Sequence, residues 1–119
     1  MEPYRRLVET SPDGILLLEQ DRIAFANPSA LALFDTDELV GQSLFDWFSL
    51  EQHQDLRDFT TSCRAGRKTS PIDLSLKRHD GRACDVSVAG ALLTGEGQQT
   101  VQLVVREITA RKQAERALR

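Results

Sequence analysis

The chain has 119 residues, of which 40% are hydrophobic and 28% are charged, and its formal net charge is −3. This length fits one domain, and the apolar fraction excludes wholesale disorder. The slightly acidic net charge implies no electrostatic attraction to nucleic acid or to an anionic membrane. No apolar run approaches the roughly 20 residues that span a bilayer, and Cys63 and Cys84 form neither a metal motif nor a disulfide framework. We therefore expect a single cytoplasmic domain that does not insert into a membrane, in a parent protein that is either soluble or membrane-bound.

The start of the chain predicts a short helix followed by a β-hairpin. Apolar residues at helical spacing over 4–8 indicate the helix. Apolar runs over 15–19 and 22–26, separated by a two-residue turn, are typical of two paired strands. Alternation in the second strand places Ile23 and Phe25 on the same face.

A group of helices follows the hairpin. Asn27 and the proline after it predict a helix start, because asparagine caps a helix well and proline suits the first helical position. Two short helical segments are predicted over 36–40 and 44–48. Ser49 and Gln52 match a capping box, which predicts the start of a longer helix.

The second half changes to a two-residue period, which is typical of strands. Apolar and polar residues alternate over 72–77 and 84–88, and the turn Asp80-Gly81 joins these two strands. Over 101–106, Val101, Leu103 and Val105 share one face, and Gln102, Val104 and Arg106 share the other. Residues 110–119 are strong helix formers. Strands joined by short hairpins are antiparallel. The order therefore predicts an α+β fold with a five-stranded antiparallel sheet, short helices on one face, and flanking N- and C-terminal helices.

Five segments in this order resemble a PAS domain, and together they span nearly the whole chain. They are the opening 4–15, the strand-to-helix junction 25–30, the short-helix segment 37–44, the central hairpin 79–82 and the closing segment 107–112. The resemblance implies a PAS fold and a sensory, dimerising module of a signalling protein.

Two positions depart from the pattern of the PAS family. Asp35 stands where many members have glycine, and Glu107 replaces the aspartate of the closing Asp-Ile-Thr motif. We expect residues 1–109 to form the sensory domain and residues 110–119 to begin a signalling helix that continues into a longer chain.

The resemblance implies a regulatory role in signal transduction and no catalysis by this domain. The module would relay a conformational change through Glu107, Ile108 and Thr109 to a C-terminal output domain, with the histidine kinase of a two-component system as the first expectation. Acidic residues near Phe34 lie among helix caps, where they favour helix starts, so they do not indicate an active site.

The space between the sheet and the short helices is the candidate ligand pocket. Its predicted lining is almost wholly apolar, so it is either a filled core or a modest cavity for a small apolar ligand. The lining residues are Ile23, Phe25, Leu31, Phe34, Leu39, Phe45, Phe48, Phe59, Leu74, Val86, Val88, Leu103 and Val105.

A cofactor-binding receptor for gas, redox state or light is the alternative, with haem or flavin in the core. The residue positions do not favour it. His53 is expected in the first turn of the long helix and His79 at a hairpin tip, both facing solvent, and the two cysteines are expected as small buried side chains. We expect no metal site.

The other face of the sheet is predicted to be a dimer interface. Alternation places apolar side chains there that the N-terminal helix and a second subunit would cover. The candidate interface residues are Leu7, Val8, Leu16, Leu18 and Val104.

Overall fold

The computed structural model describes residues 7–95 and 98–108, together with Ala114 and Ala117. The first half contains helix α1 (residues 7–10), strands β1 (Gly14–Glu19) and β2 (Arg22–Ala26), helix α2 (Pro28–Phe34) and a 3-10 helix (Leu44–Trp47). The second half contains helix α3 (Leu50–Arg64) and strands β3 (Ile72–Lys77), β4 (Ala83–Gly95) and β5 (Gln98–Glu107).

The five strands form one antiparallel sheet in the order β2-β1-β5-β4-β3. The predicted α+β fold with a five-stranded antiparallel sheet is therefore confirmed, whereas the predicted C-terminal helix over 110–119 lies outside the described residues apart from Ala114 and Ala117. Two hairpin units, β1–β2 and β3–β4–β5, meet where β1 pairs with β5, so β5 lies at the centre of the sheet. Strand β4 continues to Gly95, well past the predicted alternation, and pairs with β5 along most of its length.

Strand β1 faces the opposite way from the prediction. Leu16 and Leu18 are almost fully buried in the core, so placing them on the dimer face was wrong. They pair with Leu103 and Val101, which are also core residues. The run from residue 15 to 18 is apolar at every position, so its alternation cannot show which side faces the core.

Strand β2 contains a bulge that separates Ile23 from Phe25. Ile23 pairs with Leu18, Phe25 pairs with Leu17, and Ala24 between them has no partner on β1. An extra residue reverses the side-chain alternation beyond it. Phe25 therefore lies on the face opposite the core, and the prediction that it shares a face with Ile23 was wrong.

The helical side of the domain differs from the prediction in two local details. Residues 36–40 form no helix, because the Thr36 hydroxyl accepts a hydrogen bond from the amide of Glu38 and the segment ends in a turn at Gly41. Gln52 does not complete a capping box. Its side chain instead accepts from the Ser75 amide and donates to the Ser75 carbonyl, which satisfies backbone groups on the edge strand β3.

Asp35 ends α2 in the left-handed conformation, with φ 61° and ψ 45°. This conformation costs an L-residue about 1 kcal/mol and costs glycine nothing. The ion pair of Asp35 with Arg78, at 4.0 Å, is too long and too exposed to offset that cost. We expect Asp35→Gly to raise the free energy of unfolding by about 0.5–1 kcal/mol in a urea titration.

Asp35→Ala is the matched control, because alanine keeps the Cβ at the left-handed position and removes only the carboxylate that faces Arg78. It is expected to lower stability slightly. A shift of the same sign in both variants would contradict the explanation.

Candidate functional site

The predicted pocket residues are gathered between the sheet and the helices, with two exceptions. Leu31 is only partly buried and packs against the cluster, and Phe25 lies on the other face of the sheet. The remaining predicted residues belong to one contiguous buried cluster: Ile23, Phe34, Leu39, Phe45, Phe48, Phe59, Leu74, Val86, Val88, Leu103 and Val105. Their role in binding a ligand stays a prediction.

Trp47 is a core residue that the sequence analysis did not single out. Its ring packs edge-on against Phe34 with centroids 5.2 Å apart, and only 8% of the residue is exposed. Its indole Nε1 is buried and has no hydrogen-bond partner in the part of the chain that the structure describes. A buried indole N–H normally has a partner. Trp47 therefore places an unused donor within the apolar core.

His53 serves a structural role. Its Nε2 lies 2.8 Å from the carbonyl oxygen of Phe45 and 2.9 Å from that of Phe48. Because both neighbours of Nε2 are acceptors, Nε2 carries the hydrogen. Its hydrogen bonds connect α3 to the 3-10 helix and to Phe48, which follows that helix. The prediction that His53 faces solvent was wrong, because its side chain is half-buried, whereas His79 is exposed as predicted.

The two cysteines are buried, as predicted, and within the described residues neither is part of a disulfide. Within residues 7–95 and 98–108, no group of His, Cys, Asp and Glu side chains is arranged to hold a metal ion.

Asn27 is fully buried where β2 leads into α2. Its Oδ1 accepts from the amides of Ile15 and Ala30, and its Nδ2 donates to the carbonyls of Val8 and Asp13. The predicted capping role is confirmed. The same side chain also joins α1 and the start of β1 to α2, so Asn27 holds the N-terminal segment against the domain.

The relay segment, defined as Glu107, Ile108 and Thr109, begins at the end of β5. Thr109 lies outside the described residues. The buried Ile108 donates its amide hydrogen to the carbonyl of Asp85 at 2.9 Å. Glu107 lies in a cleft of about 440 Å³ that Arg78 also lines. The start of the relay segment is thus attached to the start of β4.

A bidentate ion pair crosses this same end of the sheet. Arg106 donates from Nε and Nη2 to the two carboxylate oxygens of Asp13, at 3.1 Å and 2.8 Å. The hydrogen bond from Arg106 holds the pKa of Asp13 below its usual value. The pair connects the start of β1 to β5 immediately before the relay segment.

The face of the sheet opposite the core carries an outer apolar face, defined as Ile15, Leu17, Phe25 and Val104. Ile15 pairs with Val104, and Leu17 pairs with Phe25, so the four side chains are neighbours. All four are half-buried, and none belongs to the core cluster. Of the predicted interface residues, Val104 lies on this face and Leu7 is exposed in α1.

Val8 is the remaining predicted interface residue, and it is buried, with 5% of its surface exposed. Its carbonyl oxygen accepts a hydrogen bond from the Asn27 side chain. Val8 is therefore already covered by other residues of the same chain, whereas the neighbouring Leu7 is 70% exposed.

Comparison with known families identifies the chain. A family model described as PAS fold matches residues 2–108. The chain belongs to the PAS family. PAS domains are regulatory sensory modules, and the predicted resemblance is confirmed.

Individual relatives are distant. Sporulation kinase A of Bacillus subtilis (strain 168) is 24% identical over 114 residues, which cover 93% of this PAS domain and 19% of that protein. The PAS domain of an HTR-like protein from Haloarcula marismortui superposes with a TM-score of 0.77 at 23% identity, covering 90% of both chains. An RNA-binding light-oxygen-voltage receptor superposes with a TM-score of 0.81 at 16% identity, covering 98% of this chain and 35% of that one.

Within the described residues, the PAS domain has no helix that is both long and apolar enough to cross a bilayer.

Proposed function

We propose that this PAS domain senses a signal, forms a homodimer, and passes a conformational change to a C-terminal output domain of its parent chain. A histidine kinase is the output we propose, since a kinase is among the relatives, although the chain spans only 19% of that protein. Cys63 and Cys84 are both buried thiols outside any disulfide in the described residues, which agrees with a cytoplasmic location, where thiols stay reduced.

The position of β5 is the observation that carries this proposal. This central strand presents Leu103 and Val105 to the core and Val104 to the outer apolar face. It then ends at Glu107 and the relay segment. A change in the packing of the core or of the dimer interface would therefore act on the same strand, and that strand leads directly into the relay segment. Such a relay needs two arrangements whose balance the input shifts.

The core is the proposed ligand site. Its lining is apolar, and the unused Trp47 Nε1–H is a donor for one acceptor atom on a small, otherwise apolar ligand. A cofactor-binding receptor with haem or flavin is the second candidate, supported by the fold it shares with the light-oxygen-voltage receptor. The absorption spectrum of the purified protein separates the two, because a colourless preparation that takes up neither cofactor removes the second.

Leu17→Glu is expected to dissociate the dimer. The substitution places a charge at the centre of the outer apolar face, where a second copy would have to desolvate it. We expect the dissociation constant, measured by sedimentation equilibrium, to rise at least about tenfold, which corresponds to about 1.4 kcal/mol.

Leu50→Glu is the matched control, because Leu50 is 84% exposed at the start of α3, on the helical side of the sheet. It should leave the dissociation constant unchanged. A domain that stays monomeric at every concentration reached, or equal effects of the two variants, would reject the proposed interface. In a full-length parent, Leu17→Glu should also change the output while Leu50→Glu does not.

A further inference from the structure

Strand β5 ends with a carboxylate on its core-facing side. Leu103, Val105 and Glu107 follow one another on that face, since alternate residues of a strand share a face. Leu103 and Val105 are buried in the core, whereas Glu107 lies at the open end of the sheet beside the cleft described above. Glu107 itself is exposed, and its carboxylate can accept a hydrogen bond from a donor on the paired strand β4.

Cys84 supplies that donor. Its Sγ lies 3.4 Å from Oε2 of Glu107, and Cys84 is 5% exposed. Glu107 pairs with Val86 of β4, and Cys84 precedes Val86 by two residues on the same face, so the contact is a diagonal cross-strand pair. Glutamate has one methylene more than the aspartate that the PAS closing motif usually carries, and this added length extends the carboxylate toward the thiol.

We propose that Cys84 is a positioning residue for the relay segment, and this inference rests on the relay proposed above. The Cys84 thiol donates to Glu107, and the next residue along each strand repeats the connection, because Ile108 donates its amide hydrogen to the Asp85 carbonyl. One side-chain contact and one backbone contact thus hold the end of β5 against the start of β4. Loss of the thiol hydrogen bond loosens the end of β5, where the relay segment begins.

Amide hydrogen exchange at Ile108, followed by NMR in the 119-residue chain, tests the pair. Cys84→Ala is expected to accelerate exchange of the Ile108 amide about fivefold relative to amides of the β1–β2 hairpin, the factor that one hydrogen bond contributes. Cys84→Ser should exchange at nearly the original rate, because the hydroxyl also donates. Glu107→Asp should act like Cys84→Ala, and the double variant should add nothing.

Cys63→Ala is the matched control, since Cys63 is also a buried thiol but lies in α3. It should leave the Ile108 exchange rate, relative to the hairpin, unchanged. Equal rates in Cys84→Ala and Cys84→Ser, or additive effects of the Cys84 and Glu107 changes, would overturn the proposal. The exchange measurement needs no output domain, so failure of the pair appears there, whereas failure of the relay appears only in the output of a full-length parent.

Discussion

Replacement of Asn27 by alanine is expected to lower the free energy of unfolding by about 3 kcal/mol or more. The side chain is fully buried and makes four hydrogen bonds of 2.7–3.0 Å to backbone groups of α1, β1 and α2 and the segment between α1 and β1. Alanine would leave two amides and two carbonyls without these partners in a site that excludes water. Urea unfolding, followed through the fluorescence of Trp47, measures the loss.

Two variants test this explanation. Asn27→Asp keeps the shape and the two acceptor contacts, but it replaces the donating Nδ2 with an oxygen that faces the carbonyls of Val8 and Asp13. It should therefore destabilise the domain strongly despite its equal size. Ser29→Ala loses one hydrogen bond, to the Ser11 carbonyl, and should cost only about 1 kcal/mol. If Asn27→Ala proved no worse than Ser29→Ala, the joining role of Asn27 would be rejected.

Gly90→Ala is expected to cost about 1–3 kcal/mol, although alanine favours a strand more than glycine does. Gly90 lies in the middle of β4, directly beneath α3. A Cβ there would lie 2.7 Å from Sγ of Cys63 and 3.0 Å from Cε2 of Phe59. The helix would have to move away from the sheet, since close-packed cores have no spare volume. The same urea titration measures the cost.

A double-mutant cycle identifies the cause of that cost. In a Cys63→Ala background the sulfur is absent, so Gly90→Ala should cost less, with only the contact to Phe59 remaining. An equal cost in both backgrounds would show that contact with the thiol is not the reason glycine is needed.

The order of the elements could be read from the chain because local rules decide it. Asn27 and the proline after it begin α2, and Gly81, with φ 87°, takes the conformation that the predicted hairpin turn demands. Alternation over 72–77, and over 101–106 apart from the apolar Val104, predicted correctly which side chains of β3 and β5 face the core. Each of these signals lies within a few residues, and together they were enough to predict an α+β fold with a five-stranded antiparallel sheet. The PAS fold itself was predicted from the resemblance of five segments to that family.

The candidate site is formed by contacts between segments that are far apart in sequence, and such contacts cannot be predicted from local sequence patterns. The hydrogen bond from the Cys84 thiol to the Glu107 carboxylate forms only when β4 and β5 pair in the observed register. The fit of α3 over Gly90 depends on helix position rather than on strand propensity. Local sequence therefore identified part of the core but misplaced Leu16, Leu18 and Phe25, and tertiary packing decided which side chains meet.

The amino-acid sequence by itself determined that this protein is a small α+β domain with an apolar interior, and the resemblance of five segments to PAS domains indicated the sensory role. Only the tertiary structure decided which apolar residues form that interior and which form the outer apolar face. Leu16 and Leu17 are equally hydrophobic neighbours, and pairing with β5 puts Leu16 in the core and Leu17 outside. The bulge in β2 likewise places Ile23 in the core and Phe25 on the outer apolar face. The physical reason is that a strand has two faces, and cross-strand register selects between them wherever hydrophobicity does not alternate.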